Sequence, residues 1–179
     1  GVQGAGNLGF GADAFAFRLN ASARETGDYD TPIGAAVNSW TSMRTLGAGA
    51  SFVGERGFAG LGLKHVANEY GLAPEDSAAP GGRIEMAQTR VEARADARID
   101  WGPFDRLDFG AQHSDYEHTE FEGSGEPGTT FVSQGYEARV EAHHRSGAHE
   151  GVTGAQITDV DFEAIGAEAF IAATNTRDI

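Results

Sequence analysis

The stretch 87–101 alternates without a break. Ala87, Thr89, Val91, Ala93, Ala95, Ala97, Ile99 and Trp101 share one parity, and Gln88, Arg90, Glu92, Arg94, Asp96, Arg98 and Asp100 share the other. Successive side chains of a β-strand point to opposite faces, so this spacing makes a ribbon with one apolar and one charged face. Wound as a helix, the same residues would scatter charge round the circumference and leave no apolar stripe, although Ala, Glu and Arg are good helix formers. A strand in a globular domain is usually about 5–6 residues long, whereas one crossing membrane hydrocarbon needs about 9–11. A run of this length therefore points to a membrane-crossing strand.

The pattern recurs over 14–24, 45–53, 58–68, 106–114 and 131–144, and less cleanly over 151–162. Residues 2–11 form a further, poorer candidate, giving about eight strands in all. The connections alternate in length. GERG (54–57), GPFD (102–105) and the turn at 146–150 are tight, while 25–44, 71–83, 119–130 and the chain beyond 163 are long and polar. Tight turns on one edge and long loops on the other describe an up-and-down antiparallel meander of the outer-membrane barrel kind. Tyr70, Trp101, Phe104, Tyr116 and Phe131 sit near strand ends, where an interfacial aromatic girdle belongs.

Composition then has a cause. Only about one residue in five is Leu, Ile, Val or Phe, and the net charge is −14, a combination that ordinarily favours disorder. A barrel needs only a thin outward apolar band, because its inner wall is polar and wet. The chain has no Cys, which excludes a disulfide scaffold and a thiolate metal site. Its acidic excess argues against a nucleic-acid partner. No run of about 20 apolar residues marks a membrane helix, and GVQGAGNLGF lacks the basic start and apolar core of a signal peptide. No nucleophile motif or phosphate-cradling loop points to an enzyme, and Gly4-Ala5-Gly6 lacks the strand–helix context of a dinucleotide site.

From Arg90 to Thr176 the chain resembles the barrel of TonB-dependent outer-membrane receptors, most closely the branch associated with zinc and other metal uptake. SDYEHTEFEG (114–123), PGTTF (127–131), GYEARVEAHH (135–144), GAQ (154–156) and AIGAEAF (164–170) carry the likeness. The resemblance implies that residues 1–179 are part of such a barrel domain, without the plug domain or the remaining strands. It also implies a place in the cell outer membrane, with lipid around it. Uptake of a metal ion or metal complex would be energised by the TonB system acting through the plug.

Chemistry concentrates at 113–122. Tyr116, His118, Glu120 and Glu122 share parity, and imidazole with carboxylates is a zinc-compatible ligand set. His118, Glu120 and Glu122 are therefore the candidate metal residues, with zinc or another divalent cation as transported ligand and no resident cofactor required. The plainer alternative is a solvated acidic loop. His113, Asp115 and Glu117 face the other way. His143, His144 and His149 lie by a tight turn, and the first two point to opposite faces, so they read as interfacial or turn residues. His65 falls on the outward parity. The charges from Arg90 to Arg98 line the inner wall, where cross-strand pairing would neutralise them. Two other readings stand beside the receptor segment: a complete eight-stranded barrel with an adhesin or structural role, and a soluble β-sheet binding module.

Overall fold

Four two-residue turns organise one end of the molecule, joining Ala12 to Phe15, Gly54 to Gly57, Trp101 to Phe104 and Ser146 to His149. Asp13, Gly102 and Gly147 open three of them with φ of 51°, 60° and 61°. A positive φ at the first central position gives the chain a twist that matches the flanking strands. The fourth turn places its strained residue just after the pair, at Gly57 with φ 151°. A Cβ there would collide with the backbone carbonyl of Asp96 on the next strand, so only glycine fits.

The computed structural model describes residues 1–74, 79–166 and 169–179. Their strands are β1 (Val2–Ala12), β2 (Phe15–Thr26), β3 (Tyr29–Thr31), β4 (Gly34–Ala36), β5 (Thr41–Gly54) and β6 (Gly57–Gly71). They continue with β7 (Arg83–Trp101), β8 (Phe104–Phe121), β9 (Pro127–Ser146), β10 (His149–Gly166) and β11 (Thr174–Asp178). Nine of them form one antiparallel meander in the order β1-β2-β5-β6-β7-β8-β9-β10-β11, and β3 and β4 make a separate hairpin inside a connecting segment. β1 and β11 each have a single neighbour, so the sheet is open.

The all-β meander agrees with the alternation, but the count and the loops need correction. The sheet has nine strands rather than eight, because the polar end AATNTRDI supplies β11 instead of ending the chain as coil. The 119–130 loop shrinks to residues 122–126, since β8 and β9 continue into it. The reason is physical. Near that end the strands are polar on both faces, so the period-2 signal vanishes while the backbone ladder persists. Parts of two expected features, residues 75–78 of the 71–83 connection and 167–168 of AIGAEAF, lie outside the described residues.

Register turns the apolar parity into a continuous belt. One row across the sheet reads Phe10, Phe17, Ala50, Leu61, Ala93, Ala111, Ala138 and Ile157, and the row nearer the tight turns contains Phe15, Phe52, Phe109 and Val140. Phe10 stacks on Phe17 with centroids 5.0 Å apart. On β7 the belt runs from Ala87 to Ala97, about 23–28 Å once a barrel-like tilt is applied. On β8 it ends at His113 and on β10 at Ile157, beyond which Asp115, Glu117, Asp159 and Asp161 take the same parity.

None of the described residues covers this belt. Leu61 is 64% exposed, and Val66 is the one buried apolar side chain among the described residues. A globular protein of 18.8 kDa exposes about 8,300 Å² by size scaling, but this sheet exposes 12248 Å². It is a single layer with a bare apolar face.

Above the belt, polar knots hold the structure. Asn38, itself at φ 59°, donates from Nδ2 to the carbonyls of Leu72 (2.9 Å) and Gly82 (2.6 Å) and accepts from Trp40 Nε1 (2.8 Å). One side chain thereby ties the segment after β4 to the one after β6. On the other flank, Asp159 accepts from Asn175 Nδ2 at 2.6 Å and Arg177 Nε at 2.6 Å, pinning β11 to β10.

Candidate functional site

The polar face changes character along the sheet. On β1, β5 and β6 it carries Gly9, Gly11, Gly47, Gly49, Gly60 and Gly62, a floor with little side chain. From β7 to β9 it becomes densely charged. Directly opposed residues there carry like charge or are neutral: Asp96 faces Asp108, Asp108 faces Glu141, and Arg98 faces Arg106. Charge is thus arranged in stripes across the strands, an acidic row between two basic ones.

Neutralisation consequently runs mainly along the strand. Arg106 Nε bonds Asp108 Oδ1 at 2.7 Å, and Arg139 lies 3.8 Å from Glu141. Arg90 and Arg94 each stand 3.8 Å from Glu92, and Arg106 reaches diagonally to Asp96 at 3.7 Å. The expectation of opposite charges facing one another on neighbouring strands is corrected here. Alternating sign along each strand, combined with this register, places like beside like.

The three candidate metal residues occupy the far end of β8. His118 and Glu120 lie within the strand on the polar face, and Glu122 follows its last residue in the connecting turn. Their ligand atoms do not converge. Among the described residues, the one Asp/Glu/His set whose donor atoms all lie within 4.8 Å of one another is Asp108, Glu141 and His143. Asp108 in that set is already engaged on both oxygens, by Arg106 at Oδ1 and by His143 Nε2 at 2.8 Å on Oδ2. An ion there would compete with an arginine, and the trio serves as an ion-pair junction. It escaped the sequence because it depends on which β8 residue stands beside Glu141 and His143.

His143 and His144 do point to opposite faces. His144 sits on the apolar side with its ring edge-on to Phe104, centroids 5.9 Å apart, and packs over Gly151. Trp101 lies against Phe104 at 6.1 Å, and these two stand on the apolar face beside a tight turn. His65 is also on that face, sharing a 2.9 Å hydrogen bond with Thr89. Tyr70, Tyr116 and Phe131 are not in a girdle: their strand parity puts them on the polar face.

There the aromatics build one wall of a cleft of about 450 Å³. His118 stacks on Phe131 with centroids 4.6 Å apart, Tyr116 meets His118 edge-on at 5.5 Å, and Phe162 stands 6.3 Å beyond Phe131. Tyr116 OH and His118 Nδ1 share a 2.8 Å hydrogen bond, which fixes both rings. Burial, with Tyr70 adding to it, pushes the Tyr116 hydroxyl above its ordinary range and keeps it a phenol.

No protein-family model and no curated protein matches this chain.

Proposed function

We propose that this chain is a stretch of outer-membrane barrel wall from a TonB-dependent receptor, with its belt toward lipid and its striped face toward a solute path. One observation carries the reading: the belt is continuous across eight strands, about as tall as a bilayer's hydrocarbon, and among the described residues has no protein layer over it. Water would make so large an apolar face costly and prone to association. Lipid removes that cost. The resemblance noted above supplies the family and the energised uptake, with a TonB-driven plug completing the path.

On this reading the unpaired edges at belt height, β1 on one side and β10 up to Ile157 on the other, meet further strands, because backbone groups within hydrocarbon must all be hydrogen-bonded. The glycine floor on β1, β5 and β6 lets another element approach the backbone closely. The striped face of β7–β9 offers a solute fixed charges of both signs, screened by salt over about 8–10 Å.

The test uses Trp101, on the apolar face near the tight turns. Replacing Trp40 by Phe leaves Trp101 as sole indole, and the full chain is inserted into vesicles of brominated phospholipid. Strong quenching is expected. An unquenched Trp101 in a chain that retains its β circular dichroism would overturn the reading. Metal cargo has a separate test by zinc titration: affinity unchanged on replacing His118, Glu120 and Glu122 with Ala removes that site.

A further inference from the structure

Tall aromatic side chains are out of place on a face that elsewhere carries Arg, Glu and glycine. Tyr116, His118, Phe131 and Phe162 all take that parity near the loop end, where the opposite face has already turned polar. Lipid contact cannot account for them there. They form one wall of the cleft, and the opposite wall is made of hydrogen-bonding groups. Gln88 donates from Nε2 to Ser114 Oγ at 3.1 Å and Gln112 donates to Glu137 at 3.1 Å, while Gln156, outside the cleft, holds the other oxygen of Glu137 at 3.1 Å. Between the walls the floor is low, formed by Ser114, Ser133 and Gly135. Gly135 keeps it so, since a Cβ there would press on Val160 Cγ2 at 3.0 Å.

We propose that this cleft is a binding subsite for a neutral, polyhydroxylated ring compound of the pyranoside class. A pyranose ring has an apolar C–H face and an equatorial fringe of hydroxyls, and the cleft presents the complement of each. Its aromatic wall takes the face, and its amides, hydroxyls and Glu137 take the fringe. The charges decide against an anionic ligand, because neither Arg nor Lys lines the cleft and its acidic group is Glu137. A bare metal ion would find one imidazole there, His118, whose Nδ1 is bonded to Tyr116, and no set of donor atoms converging with it among the described residues. The volume suits one or two sugar rings. Pockets with mostly apolar walls and a few directed polar groups are the usual form of a small-molecule site.

The inference rests on the polar face being turned to a solute path, and its test is independent of lipid quenching. The full chain is folded into a detergent without a sugar headgroup, and binding of maltose is followed by saturation-transfer NMR and calorimetry. Saturable binding is expected, with transfer strongest to the C–H face protons. Phe131→Ala removes the central ring and should weaken binding roughly tenfold, the loss of one aromatic contact. Ser133→Leu fills the floor and should abolish binding while sparing the fold, which circular dichroism checks. Arg139→Gln, one charge stripe away, serves as the control and should leave binding unchanged. No saturable binding by the folded chain, or binding indifferent to both cleft variants, would overturn the proposal. If Trp101 is quenched by brominated lipid and maltose is ignored, the wall reading survives and this subsite does not.

Discussion

The sheet has two halves that share an outside and differ inside. β1, β2, β5 and β6 are 11 to 15 residues long and present glycines, Arg18 and Asn20 on the polar face. β7 to β10 are 18 to 20 residues long and carry charge stripes, the ion-pair junction and the aromatic cleft there. Both halves present the same belt of Ala, Leu, Phe and Val. On the membrane reading, one outer constraint, burial in hydrocarbon, explains the shared face. The polar face is free to differ: it changes from glycine to charge stripes at belt height and gains the aromatic cleft where β8 to β10 outrun the belt.

The sharpest break in that comparison is a charge placed on the shared face. Leu63→Arg, at mid-belt on β6, should cost about 2–4 kcal/mol of folding into bilayers, measured by urea titration of vesicle-inserted protein. Gly62→Gln, one residue away on the polar face and meeting nothing within 4 Å, should stay within about 0.5 kcal/mol. Equal costs would mean that the two faces share one solvent.

Gly57→Ala tests the seam between the halves, since it would drive a methyl into Asp96 of β7. A loss of about 1–3 kcal/mol is expected, read as a lower urea midpoint. Asn38→Asp keeps the tolerance for positive φ but removes both donors to Leu72 and Gly82. It should cost about 1–2 kcal/mol and speed amide exchange in 71–74 without affecting β8 or β9.

The smallest effect is local and pH-dependent. Asp159 lies above the belt, and the hydrogen bonds from Asn175 and then Arg177 hold its carboxyl below the ordinary range. A lowered folded-state value means that this contribution is complete above the unfolded carboxyl's range, near 3.8, and fades as pH falls through the lowered one. Amide exchange in β11 should rise on acidification while β7 stays protected. Asp159→Asn should remove most of that dependence.

How far these features could be read in advance follows from how local they are. The alternation at 87–101 placed residues 87–98 of β7 on their faces, though β7 begins earlier, at Arg83, and GPFD and GERG marked their turns. The far ends of β8 and β9 were not legible, because 115–121 and 127–130 show no single apolar parity. His118 was correctly put on the face of Tyr116. Its stacking partner Phe131 sits thirteen positions on and is found only through the β8–β9 register. Glu120 and Glu122 share His118's parity in sequence, but the strand ends at Phe121, and alternation says nothing of the turn beyond.

The sequence by itself determined the strand period, the two-faced ribbon and the tight turns, because each depends on residues within a few positions of one another. Tertiary structure decided which side chains meet. It set Asp108 beside Glu141 and His143, lined up charge in stripes and closed the aromatic wall. Opposition across strands depends on where each turn and bulge falls, and a slip of one residue would exchange the two faces of a strand entirely.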